Sequence, residues 1–146
     1  GYVLRSRSVK KCTASGISLL KGENSNEVAV FEGFLDFLSW VEDQGIDSLP
    51  CDICVLNSVS NLKKDLSFLN EHREIHLYLD NDRAGNEAAA QIEYFCMNEE
   101  TRVVRMSHMF DGYKDYNEML TTKTSTPKTN SYGKFTERCS EQTEQH

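Results

Sequence analysis

The sequence has no long hydrophobic run and few cysteines, and both shortages restrict what the protein can be. Its 146 residues contain no apolar stretch near the ~18 residues of a membrane span, and the N-terminal segment lacks the apolar core of a signal peptide. The five cysteines are odd in number and irregularly spaced, which argues against a disulfide framework and for a reducing compartment. We therefore expect a cytoplasmic globular protein that does not enter a membrane.

A second CxxC motif is also missing, so Cys51-Asp52-Ile53-Cys54 stands alone. A lone CxxC is a redox pair, half of a zinc site, or simply two small apolar residues near a strand. A structural zinc site needs four ligands, and the four histidines do not fall at ligand spacing. The sequence therefore favours cysteines with no metal or redox role.

Acidic residues are absent from the first 22 positions and abundant afterwards. Residues 1–22 carry five basic side chains and no carboxylate, whereas residues 23–122 hold 20 acidic and seven basic residues, a net charge of −13. Such an acidic body binds nucleic acid poorly unaided and attracts divalent cations. In the basic segment, Lys10 and Lys11 are candidates for phosphate contacts, with a solvated strand or a flexible lead-in as the alternative.

Short apolar runs alternate with amphipathic segments between Glu27 and Leu120. The predicted strands are 28–31, 52–56, 74–79 and 102–106, and the predicted helices are 33–45, 61–72, 84–100 and 116–122. Strands that alternate with helices predict βαβ units, and therefore an α/β sheet of about four parallel strands. Segments 2–6 and 17–20 are candidates for additional N-terminal strands.

Changes in composition divide the chain into three parts. We expect a lead-in with extra strands over residues 1–26, a globular domain over 27–122 and a flexible polar tail over 123–146. The tail is nearly without aliphatic side chains, so it cannot bury enough surface to offset the cost of ordering. Because the chain begins with Gly1 and not Met, we expect a fragment of a longer protein or a processed product.

Acidic side chains follow three of the predicted strands, where ligands bind in parallel α/β sheets. Glu32 follows the first strand, Asp80 and Asp82 follow the third, and Asp115 lies in a loop after the fourth. Residues i and i+2 at a strand end point to one side, so Asp80 and Asp82 would repel each other without a cation. Oxygen ligands with room for water suit Mg²⁺ or Mn²⁺.

Each of these residues also has a purely structural interpretation. Glu32 and Asp36 would be favoured near a helix N-terminus by the helix dipole. The pair Asp80 and Asp82 could form a turn that caps a helix, and Asn117 could cap the last helix. An EF-hand is excluded, because positions 5 and 12 of the loop lack the required ligands and a strand precedes it. The Asp-x-Asp motif of a sugar-nucleotide transferase remains an alternative.

Three segments taken together resemble a known family. They are VAVFEGFLDFLS (28–39), IHLYLDNDRAGNEAA (75–89) and YKDYNEML (113–120). Their order is similar to that of the TOPRIM domain, the metal-binding catalytic domain of bacterial primases, type IA and type II topoisomerases and some nucleases. The last segment looks most like the primase branch. Residues 1–122 resemble primase-like proteins of conjugative and mobilisable elements in Bacteroides-type bacteria.

The resemblance implies a compact Rossmann-like α/β fold and roles for individual residues. Glu32, Asp80 and Asp82 match the catalytic acidic residues, and together with Asp115 they match the metal ligands. The positions that the resemblance makes supporting are Asp36, Gly33, Gly85 and Asn117. The candidates for phosphate or nucleic-acid contact are Lys114, Arg83, Lys10 and Lys11. Asn117 stands where the primase branch often has a second aspartate, and this departure removes one anion from the site.

The function that the resemblance implies is metal-dependent nucleotidyl transfer by a DNA primase, with Mg²⁺ or Mn²⁺ as cofactor. Primers would be made from nucleoside triphosphates on single-stranded DNA, in replication or transfer of a mobile element. The expected partners are the template, an upstream zinc-binding module and helicase or relaxase machinery. The alternatives are nuclease or topoisomerase chemistry, or a non-catalytic nucleic-acid or protein interaction domain that retains the fold. We expect the fragment alone to bind DNA weakly.

Overall fold

A six-stranded sheet forms the centre of the protein, in the order β1-β2-β4-β3-β5-β6. It is seen in a computed structural model that describes residues 9–11, 16–63 and 66–125. The strands are β1 (Val9–Lys11), β2 (Ser18–Leu20), β3 (Asn24–Phe31), β4 (Cys51–Val55), β5 (Glu74–Tyr78) and β6 (Arg102–Arg105). Strands β3 to β6 pair in parallel, as predicted, and β2 and β1 continue the sheet antiparallel beyond β4. The strand expected within 17–20 is confirmed, whereas segment 2–6 lies outside the described residues.

Helices cover both faces of the sheet. They are α1 (Phe34–Gln44), α2 (Arg83–Phe95) and α3 (Tyr116–Ser125). Trp40 of α1 and Tyr116 of α3 pack in one buried cluster, and Ile92 of α2 packs in the other. Helix α1 ends at Gly45, whose left-handed φ of 62° is the conformation that glycine favours. None of the described helices has the length and apolar character needed to cross a membrane.

The prediction of one helix over residues 61–72 is wrong. Two short 3₁₀ helices, Val59–Lys63 and Ser67–Glu71, occupy this region. The hydroxyl of Ser58 accepts a hydrogen bond from the N–H of Ser60 at 3.3 Å, and such local bonds compete with a regular α-helix. The apolar pattern still identified the buried face, whose leucines are Leu62, Leu66 and Leu69.

Three further boundaries differ from the predictions by three to five residues. Helix α2 ends at Phe95 and not at residue 100, because Asn98 closes a turn just beyond it. The Asn98 side-chain oxygen accepts hydrogen bonds from the N–H groups of Glu100 and Thr101 at 3.0 and 2.8 Å. Strand β3 begins at Asn24 and not at residue 28, and α3 continues to Ser125 and not only to residue 122.

The two cysteines of the CxxC motif lie in β4 and are both buried. Residues three apart in a strand point to opposite faces, and Cys51 and Cys54 accordingly lie in different core clusters. Burial raises the pKa of the Cys51 thiol to about 12 and raises that of Cys54 as well. The pair therefore cannot act as a redox couple or bind one metal, which agrees with the prediction.

Candidate metal centre

The parallel pairing of β3 with β5 brings the first two acidic residues together. Phe31 pairs with Tyr78 in the register of these strands, so Glu32 leaves the sheet beside the chain that leads to Asp80. One carboxylate oxygen of Glu32, Oε2, accepts a hydrogen bond from the backbone N–H of Asp80 at 3.2 Å. The sequence placed Glu32 and Asp80 at the ends of two different strands. The register of β3 and β5 brings these two residues next to each other.

Asp36 enters the site from the first turn of α1 and is buried, at 7% exposure. Its Oδ1 accepts a hydrogen bond from the backbone N–H of Asn117 at 3.1 Å. The Asn117 side chain is itself held, because the Ser39 hydroxyl donates to its Oδ1 at 2.9 Å. Contacts between α1 and α3 therefore fix the orientation of a carboxylate for which the resemblance implied only a supporting role.

Asp115 precedes α3 and caps its N-terminus. Its Oδ1 accepts a hydrogen bond from the backbone N–H of Glu118 at 2.7 Å, and the Glu118 carboxylate accepts from the N–H of Lys114 at 2.6 Å. The alternative in which Asn117 caps this helix is wrong, because Asn117 lies within α3 and its side chain faces Ser39. A capping aspartate uses one side-chain oxygen for the helix N–H, and Asp115 also makes a side-chain hydrogen bond with Asp36.

Oxygen atoms of Asp36, Asp80 and Asp115 all lie within 4.8 Å of one another. Mg²⁺ binds oxygens at about 2.1 Å, so two oxygens on opposite sides of one ion are about 4 Å apart. The Oδ1 atom of Asp80 is buried and has no hydrogen-bond partner within the described part of the chain. An unpaired buried oxygen among carboxylates is costly, and these residues fit a hard divalent cation that would remove this cost.

Burial and neighbouring carboxylates raise the pKa values of Asp36 and Asp80. Burial is the largest cause for Asp80 and raises its pKa to about 7, and further increases come from Glu32, Asp36, Asp115 and Asp82 in that order. Burial is also the main cause of the raised pKa of Asp36, which is about 6. Near neutral pH the site therefore holds protons that a cation would displace.

We expect the metal-free protein to lose stability as the pH rises from about 4 to about 7. The pKa values of Asp36 and Asp80 rise on folding from 3.8 to about 6 and about 7. The folded protein therefore binds protons that the unfolded chain releases, and its stability falls through this window. Since Mg²⁺ competes with these protons, it should raise the melting temperature more at pH 8 than at pH 5. Thermal melts with and without Mg²⁺ at both pH values measure this, and an equal rise would contradict it.

Asp82 lies outside the close triad and caps α2. Its Oδ1 accepts a hydrogen bond from the backbone N–H of Gly85 at 2.7 Å. Its charge nevertheless contributes to the raised pKa of Asp80, so the two carboxylates are close enough to interact electrostatically. The turn-capping interpretation is therefore confirmed, and it leaves the second oxygen of Asp82 for a ligand.

The two glycines expected to support the site differ in how strongly their positions require glycine. A Cβ atom at Gly85 would lie 2.1 Å from the backbone oxygen of Asp80, because the start of α2 crosses close to the end of β5. At Gly33 the backbone is extended, with φ −126°, and a Cβ atom would meet only Asp36 Oδ2 at 3.5 Å. Glycine is thus required at Gly85 and not at Gly33.

Of the basic residues predicted to contact phosphate, Arg83 follows Asp82 and Lys114 precedes Asp115, whereas Lys10 and Lys11 lie in β1 at an edge of the sheet. Arg83 is 93% exposed and its guanidinium pairs with Glu87 at 2.8 Å. Lys114 is exposed, and its backbone oxygen accepts a hydrogen bond from the N–H of Asn81 at 2.6 Å. Lys10 and Lys11 lie in β1, where the structure describes the backbone alone. Phosphate contact by these residues stays a prediction.

Two residues that hold the site were not found from the sequence. Ser39, exposed by only 6%, orients Asn117, which lies 78 positions away along the chain. The side-chain amide of Asn81 reaches backbone oxygens that are 26 to 32 positions away. Neither residue carries a charge, and Asn81 is the unspecified middle position of the Asp-x-Asp motif, so only the tertiary structure reveals their contacts.

Comparison with known proteins agrees with this arrangement. A protein-family model described as Toprim-like matches residues 29–120. The crystal structure of the primase fragment of the bacteriophage T7 primase-helicase protein is similar, with a TM-score of 0.50 and 22% identity. That alignment covers 69% of this chain and 40% of the T7 chain.

A second similar structure contains the bacteriophage T7 lagging-strand DNA polymerase interacting with primase domains bound to an RNA/DNA hybrid and dTTP. Its TM-score is 0.52 at 24% identity, over 69% of this chain and 50% of that one. Identities at this level establish a shared fold, and the chain spans half or less of either structure. No curated protein matches the chain.

Proposed function

The chain belongs to the Toprim-like family, and on that basis we propose that it is the metal-dependent nucleotidyl-transfer domain of a DNA primase. It would make primers from nucleoside triphosphates on a single-stranded DNA template. The observation that carries this proposal is the triad of Asp36, Asp80 and Asp115, in which a buried Asp80 oxygen has no partner among the described residues. The fold shared with a primase fragment supports the same reaction class.

In this proposal the acidic residues together bind Mg²⁺ or Mn²⁺. Asp36, Asp80 and Asp115 would supply the central oxygens. Glu32 lies directly after β3, and Asp82 lies directly before α2. When bound, a divalent cation would neutralise phosphate charge and lower the pKa of the attacking hydroxyl group. Glu32, whose Oε2 is held by the N–H of Asp80, could accept the hydroxyl proton at its other oxygen.

The charge of the domain supports a proposal in which this domain binds the metal ion and other segments bind the template. With a net charge of −13 over residues 23–122, this part of the chain suits cations better than a polyanionic template. We propose that the template is held by the basic N-terminal segment and by an upstream zinc-binding module. Helicase or relaxase machinery of a mobile element would supply the single strand.

The nuclease or topoisomerase alternative receives less support from the tyrosines. A topoisomerase needs a nucleophilic tyrosine, and Tyr78 and Tyr116 are buried at 5% and 1% exposure. Burial raises the pKa of Tyr78 to about 12, so its hydroxyl is a poor nucleophile near neutral pH. Tyr94 is 80% exposed, and it lies near the end of α2 opposite Asp82.

Metal binding is tested by calorimetric titration of Mg²⁺ and Mn²⁺ into the wild type and the double variant Asp80→Ala/Asp82→Ala. We expect the double variant to lose binding, because it removes two carboxylates from the site. The matched control Glu99→Ala/Glu100→Ala removes two exposed charges beyond the far end of α2 and should bind as the wild type does. Equal binding by all three proteins would refute the site.

The reaction is tested by primer synthesis with the longer protein that contains this domain. We expect Glu32→Gln to lower the rate by about 100-fold or more, as removal of a proton acceptor does. Glu42→Gln, on the exposed side of α1, is the matched control and should be unchanged. Cleavage of DNA without primer synthesis would instead favour a nuclease, and normal synthesis by Glu32→Gln would remove Glu32 from the mechanism.

A further inference from the structure

Asn81 joins the end of β5 to the loop that carries Asp115, through its backbone and its side chain. Asn81 lies between the two aspartates of the Asp-x-Asp motif, and its backbone N–H donates to the Lys114 oxygen at 2.6 Å. Its side-chain nitrogen, Nδ2, contacts three backbone oxygens of residues 107–115, which are those of Ser107 at 3.3 Å, Phe110 at 3.4 Å and Tyr113 at 3.1 Å.

The chemistry of these contacts fixes which way the amide points. Backbone oxygens can only accept hydrogen bonds, so the Asn81 nitrogen and not its oxygen must face them. The two N–H bonds of the amide are shared among three acceptors, all of which belong to the 107–115 loop, whose first residues form the short 3₁₀ helix Ser107–Phe110. Asn81 is exposed, so burial in a hydrophobic core does not account for its position.

The contacts of Asp115 explain why such a connection is needed. The hydrogen bond that its Oδ1 accepts from the N–H of Glu118 is local and holds it to α3. Oxygen atoms of Asp36 and Asp80 lie within 4.8 Å of an oxygen of Asp115, and like charges this close repel one another. On the side of β5, the 2.6 Å bond from Asn81 to Lys114 joins the residue after Asp80 to the residue before Asp115.

We propose that Asn81 is a positioning residue that holds the 107–115 loop so that Asp115 stays beside Asp80. It thereby sets the affinity of the acidic site for a divalent cation. This inference rests on the proposed metal-binding function. Residues that orient metal ligands commonly change metal affinity by 10-fold or more when they are replaced.

The first test uses Asn81→Asp, which keeps the shape of the side chain and removes its donors. If charge alone mattered, the added carboxylate beside Asp80 would make Mg²⁺ bind more tightly. If Asn81 holds the loop, a carboxylate facing three backbone oxygens releases it, and we expect binding about 10-fold weaker. The control Asn98→Asp adds the same charge beyond the far end of α2, where Asn98 contacts only its own turn. Tighter binding by Asn81→Asp would overturn the proposal.

The second test asks whether Asn81 acts through Asp115. Mg²⁺ affinity is measured for Asn81→Ala in the wild type and in the Asp115→Asn background. We expect a loss of about 10-fold in the first and little change in the second, because the residue being positioned is already missing. The same loss in both backgrounds would show that Asn81 acts elsewhere.

A measurement on the metal-free protein separates this inference from the proposed function. Hydrogen exchange of the amides in residues 107–115 should be faster in Asn81→Ala than in the wild type, while exchange in β3 is unchanged. If exchange in the loop is unchanged, the positioning role is wrong whatever the metal does. If exchange quickens but the wild type binds no divalent cation, the loop contact stands while the proposed function and the effect on affinity both fail.

Discussion

Asp80→Asn is expected to abolish strong Mg²⁺ binding and to stabilise the metal-free protein at pH 8. The carboxylate of Asp80 has a buried oxygen without a partner within the described chain, and its pKa is raised to about 7 by burial and by neighbouring acids. One pKa unit corresponds to about 1.4 kcal/mol, and the partial exposure of Asp80 reduces the effect. We expect a gain of about 1–3 kcal/mol in the free energy of unfolding.

Urea denaturation at pH 8 with and without Mg²⁺ measures both effects. Asp47→Asn is the matched control, because Asp47 is exposed and lies in the loop after α1, and it should change neither quantity. In the wild type Mg²⁺ should raise the free energy of unfolding, and in Asp80→Asn it should not. A variant that is less stable than the wild type without metal would mean that Asp80 makes a favourable contact instead.

Gly85→Ala is expected to have the largest effect on stability of any single methyl addition near the site. The new Cβ would lie 2.1 Å from the Asp80 backbone oxygen and 2.8 Å from its carbon, and backbone atoms cannot rotate away as a side chain can. Helix α2 would have to move from the end of β5 and would strain the bond from the Gly85 N–H to Asp82. We expect a loss of about 3 kcal/mol or more, at the upper end for an overpacked site.

Gly33→Ala is the control for this prediction, because it adds the same methyl group at the other glycine near the triad. Its nearest neighbour would be Asp36 Oδ2 at 3.5 Å, an ordinary contact, so we expect a change below about 1 kcal/mol. Urea denaturation of both variants compares them. Similar losses for the two would show that close approach to β5 is not what requires glycine at Gly85.

The two predictions concern one physical feature, the crowding at the carboxyl end of β5. A fold optimised for stability alone would not place Asp80 against Asp36 and Asp115. Gly85 allows α2 to begin close to β5, so that Asp82 caps the helix next to this cluster. The arrangement costs stability without a cation and is expected to recover it when one binds, as is common at functional sites.

Much of the candidate site could be predicted because strand ends are visible in the sequence. The apolar runs that became β3 and β5 end directly before Glu32 and Asp80, and parallel strands end at the same edge of a sheet. The resemblance implied a supporting role for Asp36. In the structure one of its carboxylate oxygens lies within 4.8 Å of oxygens of Asp80 and Asp115. Its position depends on the bond from Asn117 across α1 and α3, which no local pattern reports.

The wrong secondary-structure prediction for residues 61–72 has a local cause. The leucines of the predicted helix 61–72 repeat with helical spacing, yet the segment forms two 3₁₀ helices of five residues each. Local hydrogen bonds of nearby serines and the shortness of both helices favour this form. The CxxC motif was interpreted correctly, and the structure adds the reason, which is that Cys51 and Cys54 lie on opposite faces of β4.

By itself the sequence determined the alternation of strands and helices, the parallel sheet and the acidic residues at the strand ends. These features follow from hydrophobic periodicity and from residue order, which are local properties of the chain. Only the tertiary structure decided which carboxylates meet, that Asp82 and Asp115 also cap helices, and that Asn81 ties the loop of Asp115 to β5. Those outcomes depend on distances between segments far apart in the chain, and such distances are set by strand register and helix packing.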